Sequence, residues 1–130
     1  MGNKELGRRL IAVFTSAVIM FAVVSAVMGY LTAFKKTEII TSVSEDGRWK
    51  LIVYMIGEPE WPFGSTHCQF DLFHDSKRLI KHSFSIRDDG AVARERNFKV
   101  IWNMDHVTII VSGSEQKDEL YVLNFDGTVG

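Results

Sequence analysis

At 130 residues with two prolines, ten glycines and 46% hydrophobic side chains, the chain holds about one domain's worth of sequence and too much apolar content for disorder. The apolar content is uneven: Leu10–Phe34 is a run of 25 residues without Asp, Glu, Lys, Arg or His, which leaves a domain of about 90 residues and excludes a large enzyme fold. From Thr37 onward ten Lys and Arg face fifteen Asp and Glu, a formal charge of −5, so the domain has no field to attract nucleic acid.

At about 1.5 Å per residue the charge-free run reaches roughly 37 Å as a helix, enough to cross about 30 Å of hydrocarbon with tilt to spare. The organisation expected is a cytoplasmic tail over 1–9, a transmembrane signal anchor over 10–34 and an extracytoplasmic β domain over 35–130. Lys4, Arg8 and Arg9 precede the run and Lys35 and Lys36 follow it, so the positive-inside margin is small. The short leader is easily retained in the cytoplasm, whereas the net-acidic remainder meets no obstacle to export. The expectation is therefore a cell-membrane protein, N-terminus inside and C-terminal domain outside.

The rival reading is a cleavable signal peptide, with Val24 and Ala26 at a spacing that signal peptidase tolerates. Against it, the apolar run continues through Val27, Met28, Tyr30 and Leu31 to Phe34, beyond the about 7 to 15 residues that suffice in a cleaved signal. Cys68 lies too far downstream to carry a lipid at the end of the run, and Met1–Leu6 lacks the Ser or Thr of a myristoylation site, so the anchor is peptide. Ala22 with Ala26, and Ser25 with Gly29, place small residues four apart, a spacing that permits a homo-oligomer through close helix approach, although such residues are also simply tolerated in membrane helices. No ionisable side chain in the span is available to carry transport.

From Glu38 the pattern changes to the alternation of strands with one buried face. Ile39–Val43 and Trp49–Ile56 flank Ser44-Glu45-Asp46-Gly47, where glycine supplies the positive φ of a tight hairpin. A second hairpin joins Thr66–Phe73, with Cys68, Phe70 and Leu72 on one face, to Leu79–Ile86, with Ile80, His82, Phe84 and Ile86 on one face, through a turn at His74–Lys77. An irregular stretch over Ala91–Asn97 leads to a strand carrying Phe98, Val100 and Trp102, a turn at Asn103–Asp105, a strand over His106–Ser112 with Val107, Ile109 and Val111 inward, a loop over Gly113–Asp118, and a last strand over Leu120–Phe125. About seven strands spaced roughly 8 to 14 residues apart predict an all-β domain, a small antiparallel sandwich or open barrel, after the N-terminal helix. A lone cysteine forms no internal disulfide, so the large rings of Trp49, Phe70, Phe84, Phe98, Trp102 and Phe125 are expected to supply the core.

Ser44-Glu45-Asp46-Gly47-Arg48-Trp49-Lys50-Leu51 resembles the opening of β domains in uncharacterised small membrane-tethered or lipoprotein-like proteins of bacteria, mainly Gram-positive, and the likeness continues through Trp61-Pro62-Phe63-Gly64, Trp102-Asn103 and Phe125-Asp126-Gly127. The resemblance implies an envelope-facing tethered β domain and brings no catalytic residues with it. The chain departs from the lipoprotein members in using a membrane helix as its anchor.

His67, His74, His82 and His106 are the residues through which metal binding or base catalysis would enter, but no H-x-H, C-x-x-C or H-E-x-x-H spacing is present and no metal or cofactor is expected. Cys68, in line with Phe70 and Leu72, reads as a small buried hydrophobe. The acid pairs Glu45-Asp46, Asp88-Asp89 and Asp118-Glu119 all read as turn residues, and turn chemistry already accounts for Asp before Gly. The alternative is that such pairs converge as the acid and base of an envelope hydrolase. In Gly57-Glu58-Pro59-Glu60-Trp61-Pro62-Phe63-Gly64, which holds both prolines, Trp61 and Phe63 with Glu58 and Glu60 form a candidate surface for an envelope protein, peptide or glycan; the competing expectation is that both rings fold back to plug the end of the sandwich. The function expected is a non-enzymatic binding module held at the membrane, with an envelope hydrolase or an assembly role through the membrane helix as alternatives.

Overall fold

A computed structural model describes residues 2–130. All of the charge-free run but its last residue, Phe34, lies in one helix, α1 (Gly2–Ala33), which also takes up the basic leader. It is long and apolar enough to cross a membrane, and none of its side chains is buried by the rest of the chain. The hydroxyls of Thr15, Ser16 and Thr32 donate back to the carbonyls of Ile11, Ala12 and Met28 at 2.8, 2.8 and 2.9 Å. Such internal satisfaction is what a medium without water demands of a polar group.

Seven strands follow: β1 (Lys36–Val43), β2 (Trp49–Ile56), β3 (Thr66–His74), β4 (Lys77–Ile86), β5 (Phe98–Trp102), β6 (His106–Gly113) and β7 (Gln116–Asn124). They form an antiparallel four-stranded sheet in the order β1-β2-β3-β4 and a three-stranded sheet in the order β5-β6-β7. Of the two architectures expected, the chain takes the sandwich, because β4 does not pair with β5. The segment between them runs through Asp89 and Gly90 at positive φ and a single 3₁₀ turn, Glu95–Asn97, and carries the chain from one sheet to the other.

Alternation sets the core. Leu51, Val53, Cys68, Phe70, Leu72 and Ile86 of the first sheet and Val107, Ile109, Val111 and Leu123 of the second are all within 1% of full burial and belong to one cluster. At its centre the Phe70 ring stacks on Phe84 at 4.1 Å and meets Tyr121 and Phe98 edge-on at 5.4 and 6.5 Å, so aromatic contacts bridge the sheets. Trp49, Phe98, Trp102 and Phe125 do not enter this cluster fully but pack against it, half-buried.

The outer face of the first sheet carries a buried carboxylate. Asp71 is only 3% exposed, accepts a hydrogen bond from Gln69 Nε2 at 2.5 Å, and has Arg78 Nη1 3.5 Å from its other oxygen. A desolvated charge needs such partners to persist.

Several boundaries differ from those the sequence suggests. The β3–β4 turn is two residues, not four: Asp75 and Ser76 both sit at positive φ (46° and 68°), the geometry that tight hairpins favour. The β6–β7 loop shrinks to Ser114 and Glu115, so Asp118 and Glu119 lie in β7 rather than in a turn. Past the last strand the chain reverses at Asp126-Gly127, and Gly130 exchanges backbone hydrogen bonds with Val122 at 2.8 and 3.1 Å.

Because Phe70 contacts both sheets, Phe70→Ala is expected to cost about 3 to 5 kcal/mol. Thermal unfolding of the full chain in detergent micelles checks this; a change under about 1 kcal/mol would show that the two sheets do not share this core.

Candidate functional site

The ends of the sandwich differ in what they present. β1 starts two residues after α1 and rises over eight residues, so the turns after β1, β3 and β5 lie roughly 26 Å from the end where the helix enters. At the near end are the β2–β3 loop, the β4–β5 segment and the β6–β7 turn.

The near-end loop contains the four residues singled out from the sequence. Its first peptide groups bind the helix exit: the Gly57 N–H donates to Lys35 O at 2.7 Å and the Glu58 N–H to Thr32 O at 2.8 Å. Gly57 has φ +68°, and a Cβ there would run into the Thr32 carbonyl oxygen. The loop then closes on itself, with the Gly64 N–H donating to Glu60 O at 2.6 Å and the Glu60 N–H to Ser65 O at 3.1 Å. The Glu60 carboxylate lies 2.9 Å from His67 Nε2, and His67 Nδ1 lies 3.1 Å from Ser85 Oγ. Trp61 is 92% exposed and Phe63 70% exposed.

The rings therefore do not plug the sandwich. That position is already filled: Ala93 is buried in the core, the Thr66 hydroxyl donates to Ala91 O at 2.9 Å, and Asn97 Nδ2 donates to Ser112 O at 2.8 Å.

At the far end an aromatic groove of about 540 Å³ is lined by Ser44, Glu45, Asp46, Trp49, Trp102, Asn103, Met104 and Phe125. The Trp49 indole is sandwiched between the His74 imidazole (centroids 4.2 Å apart) and the Phe125 ring (3.8 Å). Trp102 Nε1 donates to Ser42 Oγ at 2.8 Å, which orients the second indole across the gap between sheets. Met104 stands almost fully in solvent, 99% exposed. On the rim, Asp46 accepts from the Ser44 hydroxyl at 2.6 Å and the Arg48 N–H at 3.1 Å, and these bonds hold its carboxyl below the usual carboxylate range. Arg48 itself is paired with Asp75 at 3.2 Å. This groove escaped sequence reading because its walls come from three separate turns; the local signal was the pair of indoles, each read as core.

The groups considered for catalysis have other occupations. Asp88 accepts from the Ser114 N–H at 2.8 Å and from Asn97 Nδ2 at 3.2 Å, with Arg96 at 3.9 Å, and so ties the β4–β5 segment to the β6–β7 turn. The Tyr121 hydroxyl donates to Glu119 at 2.7 Å. The four histidines are dispersed: His67 is beside Glu60, His74 on Trp49, His82 on the inner face near Phe70 and Tyr121, and His106 beside Asp105. Among the described residues no three His, Cys, Asp or Glu side chains converge as metal ligands. Cys68 is buried, and desolvation pushes its thiol up to about 12.

No protein family, curated protein or solved structure matches the chain.

Two outcomes follow from these environments. Cys68 should resist a thiol-specific reagent at neutral pH in the folded chain and react on denaturation; rapid native labelling would contradict its burial. For Asp88, the Ser114 backbone hydrogen bond is the largest cause of a folded pKa below the unfolded value of about 3.9. The unfolded chain therefore takes up the proton first as pH falls, and the stabilisation present above about pH 4 is lost as pH drops through the folded pKa. Asp88→Asn should lower the melting temperature near neutrality and flatten its fall between pH 5 and pH 2; a constant offset at every pH would assign the acid sensitivity elsewhere.

Proposed function

We propose that the protein is a single-pass, membrane-anchored interaction module, with α1 as a retained signal anchor, the N-terminus cytoplasmic and the β domain outside, which binds a partner in its far-end aromatic groove. The observation that carries this reading is the groove's position: the aromatic, solvent-open surface with Met104 at its lip lies at the end of the sandwich away from α1. A flexible thioether beside half-buried indoles is an adaptable apolar contact.

Charge selects the partner. Glu45 and Asp46 line the groove, Asp105 and Asp126 adjoin its lining residues Met104 and Phe125, and Arg48 is neutralised by Asp75. An acidic rim around an apolar floor fits an extended peptide segment of an envelope protein in which Lys or Arg alternates with apolar residues. The resemblance of Ser44–Leu51 to small tethered envelope domains agrees with that setting. The hydrolase alternative has less support, because Asp88 and Glu119 are engaged in hydrogen bonds within the fold.

Two measurements test the reading. Protease added outside intact cells or spheroplasts should remove the β domain and leave a small protected fragment; protection of the whole chain would reverse the orientation. In micelles, the full chain should bind an alternating Leu-Lys peptide, not its Leu-Glu counterpart, with affinity falling as salt rises. Glu45→Lys with Met104→Ala should weaken binding by about tenfold or more. Equal binding of both peptides, or no effect of the substitutions, would overturn the groove assignment.

A further inference from the structure

We propose that the Trp61–Phe63 loop is a second membrane contact, an aromatic foot that seats the β domain on the phospholipid surface beside the exit of α1. The proposal rests on the reading of α1 as membrane-spanning. It replaces the envelope protein, peptide or glycan expected at Trp61, Phe63, Glu58 and Glu60 with the bilayer interface itself.

The first ground is placement. Only Phe34 and Lys35 separate α1 from β1, and the Gly57 and Glu58 N–H groups are bonded to the Lys35 and Thr32 carbonyls. A side chain at Gly57 would push the loop off the Thr32 carbonyl, so glycine allows direct contact between loop and helix end. The aromatic loop is thereby held at the level where the chain leaves the hydrocarbon.

The second ground is exposure joined to chemistry. Trp61 and Phe63 are large apolar rings left in solvent at 92% and 70%, on a loop whose shape is held by the Glu60–Gly64 and Glu60–Ser65 backbone hydrogen bonds. Holding the rings outward without a partner is unfavourable in water, whereas the headgroup region is where an indole gains most, one edge apolar and its N–H hydrated. Phe34, between the helix end and the Lys35 carbonyl that accepts from Gly57, is a further exposed apolar ring at 68%.

The third ground is the charge that sets depth. Lys35 lies in the junction and Lys36 opens β1, both cations suited to lipid phosphates. Glu58 is exposed, and Glu60 is held beside His67. Carboxylates of this kind do not enter hydrocarbon, so the loop rests at headgroup level instead of inserting. Seated there, the loop resists tilting of the sandwich about the short junction and keeps the far-end groove directed away from the bilayer.

The experiment uses the full chain in its native membrane with a benzophenone amino acid at one position at a time: Phe21 inside α1, Trp61 or Phe63 in the loop, and Met104 at the far end. After irradiation, adducts are identified by mass spectrometry. Lipid adducts at 21 and at 61 or 63, with none above background at 104, are expected. Lipid at 21 with only protein adducts or none at 61 and 63, or equal lipid yield at 104, would overturn the proposal while leaving the spanning reading intact. Absence of lipid adducts at 21 would remove the spanning reading, and this proposal with it.

Discussion

The absence of a linker between helix and sheet is the constraint on which the rest of this structure depends. α1 ends at Ala33 and β1 begins at Lys36, and the Gly57–Glu58 backbone closes the junction by bonding to the last turn of the helix and to Lys35. A flexible linker would leave the β domain free to reorient. Here the direction of β1 is tied to the helix end, so the two ends of the sandwich acquire different surroundings: one faces the helix exit, the other lies about one strand length away.

The domain maintains that arrangement without a disulfide. Its core is built from two inward faces whose aromatic rings interlock around Phe70, and the half-buried Trp49, Trp102 and Phe125 extend the packing to the far end. The near end is held by polar ties: Asp88 joins the β4–β5 segment to the β6–β7 turn, and Asn97 joins the same segment to Ser112. Hydrogen bonds to a charged acceptor are stronger than neutral ones. This gives Asp88 a structural occupation at a place where the sequence shows only two adjacent acids before a glycine.

The far-end groove and the near-end loop are both aromatic and yet present their rings differently. In the groove the indoles are braced, Trp49 by ring stacking on both faces and Trp102 by its bond to Ser42, with carboxylates on the rim. In the loop Trp61 and Phe63 stand exposed, and only the loop's first peptide groups are bonded to the helix end. A braced pocket with a charged rim discriminates between side chains, while exposed rings on a loop need only an apolar or interfacial surface.

By itself the sequence determined what depends on local pattern. A run of 25 residues without charge has one stable backbone solution in an apolar medium, a helix, and the alternation after Glu38 placed Cys68, Phe70, Leu72, Val107, Ile109 and Val111 on inward faces because strand side chains change sides at every residue. Only the tertiary structure decided what depends on residues far apart in the chain. It turned Trp61 and Phe63 outward because Ala93 and the segment around it already close that end. It shortened the β6–β7 turn and drew Asp118 and Glu119 into a strand, where Glu119 pairs with Val111 and Asp118 falls at the register shift before Gly113↔Gln116. It also brought Trp49, His74 and Phe125 into one stack: periodicity specifies which way a side chain faces, whereas the neighbour it meets is set by how the sheets pack.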